Sequence, residues 1–384
     1  MDGPTQTGAP LRMGPLRLAP VPGAELDCWV AHGQITGDTT HLSVMFALCR
    51  AVVDGTEGSA VLTHVLDETT GRAQVRCRVT PNILTIEDRI AQDVARASVS
   101  RWIPWALRFA LRRHRKDVAT LIDRHPALTV DPKGIRFGAD PFAASGGGLL
   151  LAHEPSRGLL RLTLPVGDGL GLEAHMPMPQ AVMHEDATGL APDAGASFQQ
   201  QCAPALPLTG RIGRETVTGT LWFDRQWGAL DNWLLAEAPR GKVLLGRDRF
   251  ALRLGPDWHL MLERHHGCPT GATRAQSTVL FDGAQPIALP QGHVATPTDV
   301  WRGPQTGAHY PLQWSVRVPD LELDLLLSPL GQDQELPLPG GWSVWNGAAR
   351  FDGTLDGHAV TGPARIALHG YAAGSLKRGR MRRR

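Results

Sequence analysis

Short apolar segments set between turn residues recur through the N-terminal part of this chain. Residues 28–35, 41–52, 59–66 and 73–79 each run seven to twelve residues, are rich in Val, Leu, Phe or Trp, and lie close to Gly, Asp or Thr. Strands joined by turns read this way in sequence. With 43 Gly and 30 Pro in 384 residues and few Ala/Leu/Glu/Lys helical repeats, a fold of many strands follows. Strand-like segments resume at 149–151 and 159–164, after the loop 143–148, and again from 208 to 371. Between them, 187–207 is rich in Gly, Ala, Pro and Gln, lacks period-two alternation, and reads as the connection between two halves.

One stretch departs from the strand pattern. Over 94–126, Trp102, Trp105, Ala106, Phe109 and Ala110 fall at helical spacing, while Arg108, Arg112, Arg115 and Lys116 gather on another side. This predicts a basic amphipathic helical insertion in a β domain. It either packs across a barrel or acts as a lid or peripheral membrane contact through 101–116.

Charge adds little. The net charge is +2, and the tail 377–384 alone carries six cationic side chains. A terminal basic run reads as a solvated tail or a contact with an anionic surface. No zinc-finger, helix-turn-helix or RNA-binding signature accompanies it, so no nucleic-acid partner is expected. Five scattered cysteines without a Cys-x-x-Cys pair suit a reducing compartment. No basic segment leads into an apolar run after Met1, and no window approaches the roughly 18 apolar residues of a membrane span. The expected location is therefore cytoplasmic, with peripheral membrane contact as the variant.

Two segments carry candidate chemistry. In 219–228, strand alternation puts Trp222, Asp224 and Gln226 on one face and Phe223, Arg225 and Trp227 on the other. A carboxylate flanked by aromatics can be a proton donor to an alkene, its pKa raised by burial. The plain alternative is an Asp held in a salt bridge or turn. In 257–266, His259, Met261, Glu263 and His265 share a face. At about 3.3 Å per residue, His259 and His265 stand about 20 Å apart, too far to share an ion. Glu263 and His265 can converge as an acid–base pair, or simply line a barrel. No nucleophile elbow, phosphate-binding loop or dinucleotide fingerprint is present, so neither metal nor cofactor is expected.

The C-terminal third holds Trp301, then Thr306-Gly307-Ala308-His309-Tyr310-Pro311-Leu312-Gln313-Trp314, then Asp333-Gln334-Glu335, Trp345-Asn346-Gly347 and Gly370-Tyr371. These motifs resemble those of the lipocalin-like family that includes carotenoid 1,2-hydratases (hydroxyneurosporene synthases), kievitone hydratases and decalin-forming Diels–Alderases. The box Trp222-x-Asp224-x-x-Trp227-Gly228 fits the same family, as do Asp27 to Ile35, Met45 to Arg50 and Thr63 to Asp67 in weaker form. The resemblance implies an all-β fold of two lipocalin-like (calycin-type) barrels: 1–205 with the insertion at 94–126, 206–376, and the tail. It departs where family carboxylates or phenols are replaced by Val344, Asn346 and Ala367. Hydration of an isolated alkene needs a strong, placed acid, whereas folding an apolar substrate into a reactive shape needs fewer.

The expected function is a cofactor-independent lyase or isomerase of specialised metabolism. It would hydrate, cyclise or isomerise an apolar polyene, terpenoid or polyketide in a cavity between two barrels. Asp224 is the candidate acid or orienting group, with Glu263, His265 and His64 behind it. Trp29, Trp222, Trp258, Trp342, Trp345 and Asn346 are the candidate substrate-binding residues. The competing class is a non-catalytic carrier of a lipophilic ligand.

Overall fold

The computed structural model describes residues 5–6, 11–83, 85–86, 89, 127–167, 169–186, 198–230, 235–238, 241–267, 273–304, 306–338 and 343–371. The expected helical insertion at 94–126, residues 187–197 of the expected connection, Trp342 and the basic tail lie outside them.

Two curled, almost wholly antiparallel sheets make up the fold. From edge to edge the first runs Leu128–Val130, Arg72–Val79, Thr56–Asp67, His41–Val53, Leu26–Thr36, Glu215–Gly228, Gln199–Ile212, Leu170–Pro177, Leu159–Gly167, Leu149–Glu154, Phe142–Gly146 and Arg136–Ala139. The second runs Thr5–Gln6, Thr273–Asp282, Trp258–Gly267, Gly241–Arg253, His358–His369, Val344–Leu355, Leu323–Pro329, His309–Val318 and Val294–Arg302. The four strands expected near the N-terminus are all present, each extended by a residue or more.

Period-two alternation decides what fills each curl. The first sheet closes on Trp29, Phe46, Leu48, Leu151, Leu162 and Phe223. The second closes on Phe250, Tyr310, Trp314, Trp345 and Phe351. Both interiors are thus packed with side chains. Sharp coiling requires close backbone approach, and a Cβ on Gly33 would overlap the Thr220 carbonyl of the paired strand.

Two expectations differ from the structure. Residues 199–207, assigned to the connection, begin the strand Gln199–Ile212. Gln200 is 0% and Gln201 3% exposed, so the first residues of this strand bury amides, which hydrophobic alternation cannot reveal. The sheet boundary also falls after Gly228 and not at 205/206. Glu215–Gly228 pairs along its length with Leu26–Thr36, a contact between segments far apart in sequence.

The C-terminal signature closes the second curl. Glu335 Oε1 accepts from Tyr310 Oη at 2.9 Å, Thr306 Oγ1 at 2.6 Å and Ser343 Oγ at 2.8 Å. Gln334 bridges backbone, donating to the Gly331 and Ala348 carbonyls and accepting from the Ala348 N–H. Trp345 Nε1 donates to the Gln332 carbonyl at 2.8 Å and Trp314 Nε1 to that of Pro311 at 2.7 Å. Tyr371 Oη donates to Asp248 at 2.8 Å, inside the same curl. Buried polar groups bonded this fully fix a single arrangement of strands and loop. Burial, then the Glu335 charge, raises the Tyr310 pKa, so its hydroxyl stays a donor. Tyr310→Phe is expected to lose about 2 kcal/mol in urea unfolding, as a hydrogen bond to a buried carboxylate is removed.

Among the described residues, no helix is long and apolar enough to cross a membrane.

Candidate functional site

Where the two sheets meet, the outward face of each carries polar side chains that a surface would not bury. From the first sheet come Gln200, Cys202, Trp222, Asp224 and Gln226. From the second come Arg247, Arg249 and Glu263. Each set is placed by alternation, with odd-numbered Arg247 and Arg249 facing the junction while Phe250 fills the curl.

Asp224 is 2% exposed and three donors converge on its Oδ1: Arg249 Nη2 at 2.8 Å, Trp222 Nε1 at 2.9 Å and Cys202 Sγ at 2.8 Å. An ionised carboxylate accepts bonds in this way. Burial, followed by the Asp224 charge, pushes the Cys202 thiol up, so it donates as S–H. Burial would lower the Arg249 pKa, but Asp224 and its neighbours outweigh that and raise it. Asp224 is therefore held in a buried ion pair with Arg249, the plain alternative considered for it.

Glu263 lies beside this pair. It accepts from Arg247 Nη2 at 2.6 Å and His265 Nε2 at 2.7 Å. Burial would raise its pKa, but Arg247 and then His265 hold the carboxyl well below the usual range. Arg247 also donates to Gln200 Oε1 at 2.6 Å, and Gln226 Nε2 donates to the same oxygen at 3.0 Å. Both carboxylates are thus anions in a continuous network that crosses the junction.

Above this floor opens a groove between the two sheets. One wall is His32, Pro204, Thr220 and Trp222 of the first sheet; the other is Ala251, Leu252, His259, Ala348, Pro363 and Arg365 of the second. The His32 ring lies nearly parallel to Trp222, with centroids 6.0 Å apart. Trp222 links the two levels, since its face lines the groove and its N–H holds Asp224. Burial first, then Arg365, keeps the His32 and His64 pKa values well below the usual imidazole value. Both rings are neutral at pH 7.

The structure brings together Asp224, Glu263, His265 and Trp222, and sets Asn346 beside Arg365. His64 is 0% exposed on the face it shares with His32, two strands away through Met45. The other candidates lie elsewhere: Trp29 and Trp345 fill the two curls, and Trp258 is 41% exposed. Asp27, the counterpart of an acidic family position, is buried against Arg225, whose guanidinium stacks 4.0 Å over Trp29. Sequence reading missed Arg247, Arg249, Arg365, His32, Gln200 and Cys202. Arginines set among apolar strand residues, two apart in 241–253 and single in 358–369, are the signal that could have found the three arginines.

Among the described residues, no three His, Cys, Asp or Glu side chains converge as a metal would require.

Two curled lipocalin-like sheets joined across a polar seam define the class. Residues 156–371, more than half of the chain, match the AttH-like family, and the chain belongs to it. A crystal structure described as an AttH of Nitrosomonas europaea is similar at 19% identity and a TM-score of 0.64, covering 96% of this chain and 99% of that one. Kievitone hydratase of Nectria haematococca is similar at 14% identity and a TM-score of 0.55, covering 89% of this chain and 88% of its own. These likenesses establish a shared fold. A search of curated protein sequences found no match.

Proposed function

We propose that this chain is a hydratase- or cyclase-type enzyme that works without a cofactor on an apolar polyene, terpenoid or polyketide held between its two sheets. The observation that carries the reading is the groove itself: apolar walls stand directly above a desolvated network of charges. Concave sites lined mainly by apolar side chains with a few convergent polar groups suit an apolar ligand. The fold shared with kievitone hydratase supports the same reading.

The charge states select among the reactions. Asp224 and Glu263 are held as anions and offer no proton to an isolated alkene. Among the donors that line the groove, the Arg365 guanidinium and the neutral His32 ring stand on opposite walls. Fixed donors in a water-poor site stabilise negative charge growing on a carbonyl oxygen. Cyclisation or isomerisation of a carbonyl-conjugated polyene is therefore favoured over hydration.

Mass spectrometry of reaction products separates these outcomes. Incubating the full chain with carbonyl-conjugated polyenes is expected to give a product of unchanged mass, and His32→Phe should slow its formation about 100-fold with binding retained. A product heavier by one water would identify a hydratase. Binding without conversion of any polyene would make the protein a carrier and contradict the enzyme reading.

A further inference from the structure

Three buried arginines face the junction from the second sheet, and they are not equivalent; a fourth, Arg253, lines the groove from an exposed position. Arg247 and Arg249 each pair with a carboxylate, Glu263 and Asp224. Arg365 is 5% exposed, lines the groove, and has no carboxylate partner among the described residues. Its Nε donates to Asn346 Oδ1 at 2.8 Å and its Nη2 to the Asn346 carbonyl at 2.5 Å. Both acceptors are neutral, and Nη1 has no protein acceptor among the described residues.

A buried charge without a counter-ion is costly to maintain. Burial pushes the Arg365 pKa down to about 9, which leaves the guanidinium cationic at neutral pH. The surroundings supply no anion either. His64 is fully buried with both ring nitrogens unpartnered, and His32 lines the groove facing the same arginine. The site is a cation with neutral donors around it and an apolar cleft alongside.

A planar oxyanion satisfies such a site, because the guanidinium fork matches a carboxylate in shape and charge. The geometry points to an amphiphilic ligand whose anionic oxygen head, a carboxylate or ionised enol, sits on Arg365 while its apolar body lies along Trp222 and Ala251. This rests on the groove reading above and narrows it from apolar molecules in general to apolar acids.

Fluorescence titration of the full chain with cis-parinaric acid and with its methyl ester tests this at about pH 7.5, where the carboxylic acid is ionised. The acid is expected to bind at least about tenfold more tightly than the ester. Arg365→Gln should erase that preference, and Arg365→Lys should keep part of it. Equal affinity of native protein for acid and ester would overturn the proposal while leaving the groove reading intact, and this comparison needs no variant to fold. A preference for the acid that survives Arg365→Gln would also overturn it. Failure of both probes to bind would remove the groove reading and the proposal together.

Discussion

Replacing Asp224 with leucine is expected to destabilise the protein by about 3–5 kcal/mol, the loss seen when one partner of a buried ion pair is removed. The side chain of Asp224 is 3% exposed and that of Arg249 9%. Without the carboxylate, Arg249 would hold a desolvated charge against two sulfur atoms, Cys202 Sγ and Met261 Sδ. The Trp222 and Cys202 donors would lose their acceptor as well. The double variant Asp224→Leu/Arg249→Met removes both charges together and should recover most of the loss, since well-packed apolar replacements of buried pairs are often near neutral. Urea unfolding of the native protein and three variants gives the cycle. A loss below about 1 kcal/mol for Asp224→Leu would show that the pair is solvated and that the seam is not the sealed network described.

Acid sensitivity is the second large effect. His293 is 4% exposed, its Nδ1 pairs with Thr278 Oγ1 at 2.7 Å, and its Nε2 is buried without a partner. Burial, then Arg264, lowers its pKa from 6.5 to about 4. His64 is lowered well below 6.5 for the same first reason. The unfolded chain therefore takes up protons on these rings before the folded one does. Their stabilising neutral state is fully present above pH 6.5 and is lost as pH falls from there. For His293 the loss reaches about 3 kcal/mol near pH 4.

The carboxylates act in the same direction at lower pH. Glu263 and Asp248 have folded pKa values below their ordinary 4.5 and 3.8, so their stabilisation disappears only under more acidic conditions. Thermal melting across pH 8 to 4 should show a plateau that ends near 6.5 and then a steep fall, and His64→Leu should soften the upper part of that fall. A flat profile down to pH 4.5 would mean that these imidazoles are hydrated.

How much of this is legible in the sequence depends on the kind of packing involved. Strands with one apolar face, such as Leu26–Thr36 and His41–Val53, show in the pattern because each buries hydrocarbon on the curled side. The opposed faces of Trp222/Asp224 and Phe223/Arg225 follow from period two, and the structure has them so. The strand start at Gln199, Gln200 and Gln201 leaves no such trace, because it buries amides whose partners, Arg247 for Gln200 and Arg17 and Pro15 for Gln201, lie far away in sequence. The partners of Asp224 and Glu263 are likewise set by sheet pairing at long range, which spacing along one strand cannot reveal.

The motifs of the C-terminal third also look different in three dimensions. Tyr310, Gln334, Glu335 and Trp345 hold the end of the second curl together through buried hydrogen bonds. They mark the scaffold, while Trp222, His32 and Arg365, which line the groove, lie outside that signature.

Both sheet interiors are packed, so the proposed function requires a ligand to bind between the two sheets and not inside either one. A crystal structure with cis-parinaric acid methyl ester bound is the direct measurement. Ligand density is expected in the groove against Trp222, Ala251 and Ala348, with Trp29, Phe46 and Trp345 unmoved. Density inside the first curl, with Trp29 or Phe46 displaced to admit the ligand, would contradict it.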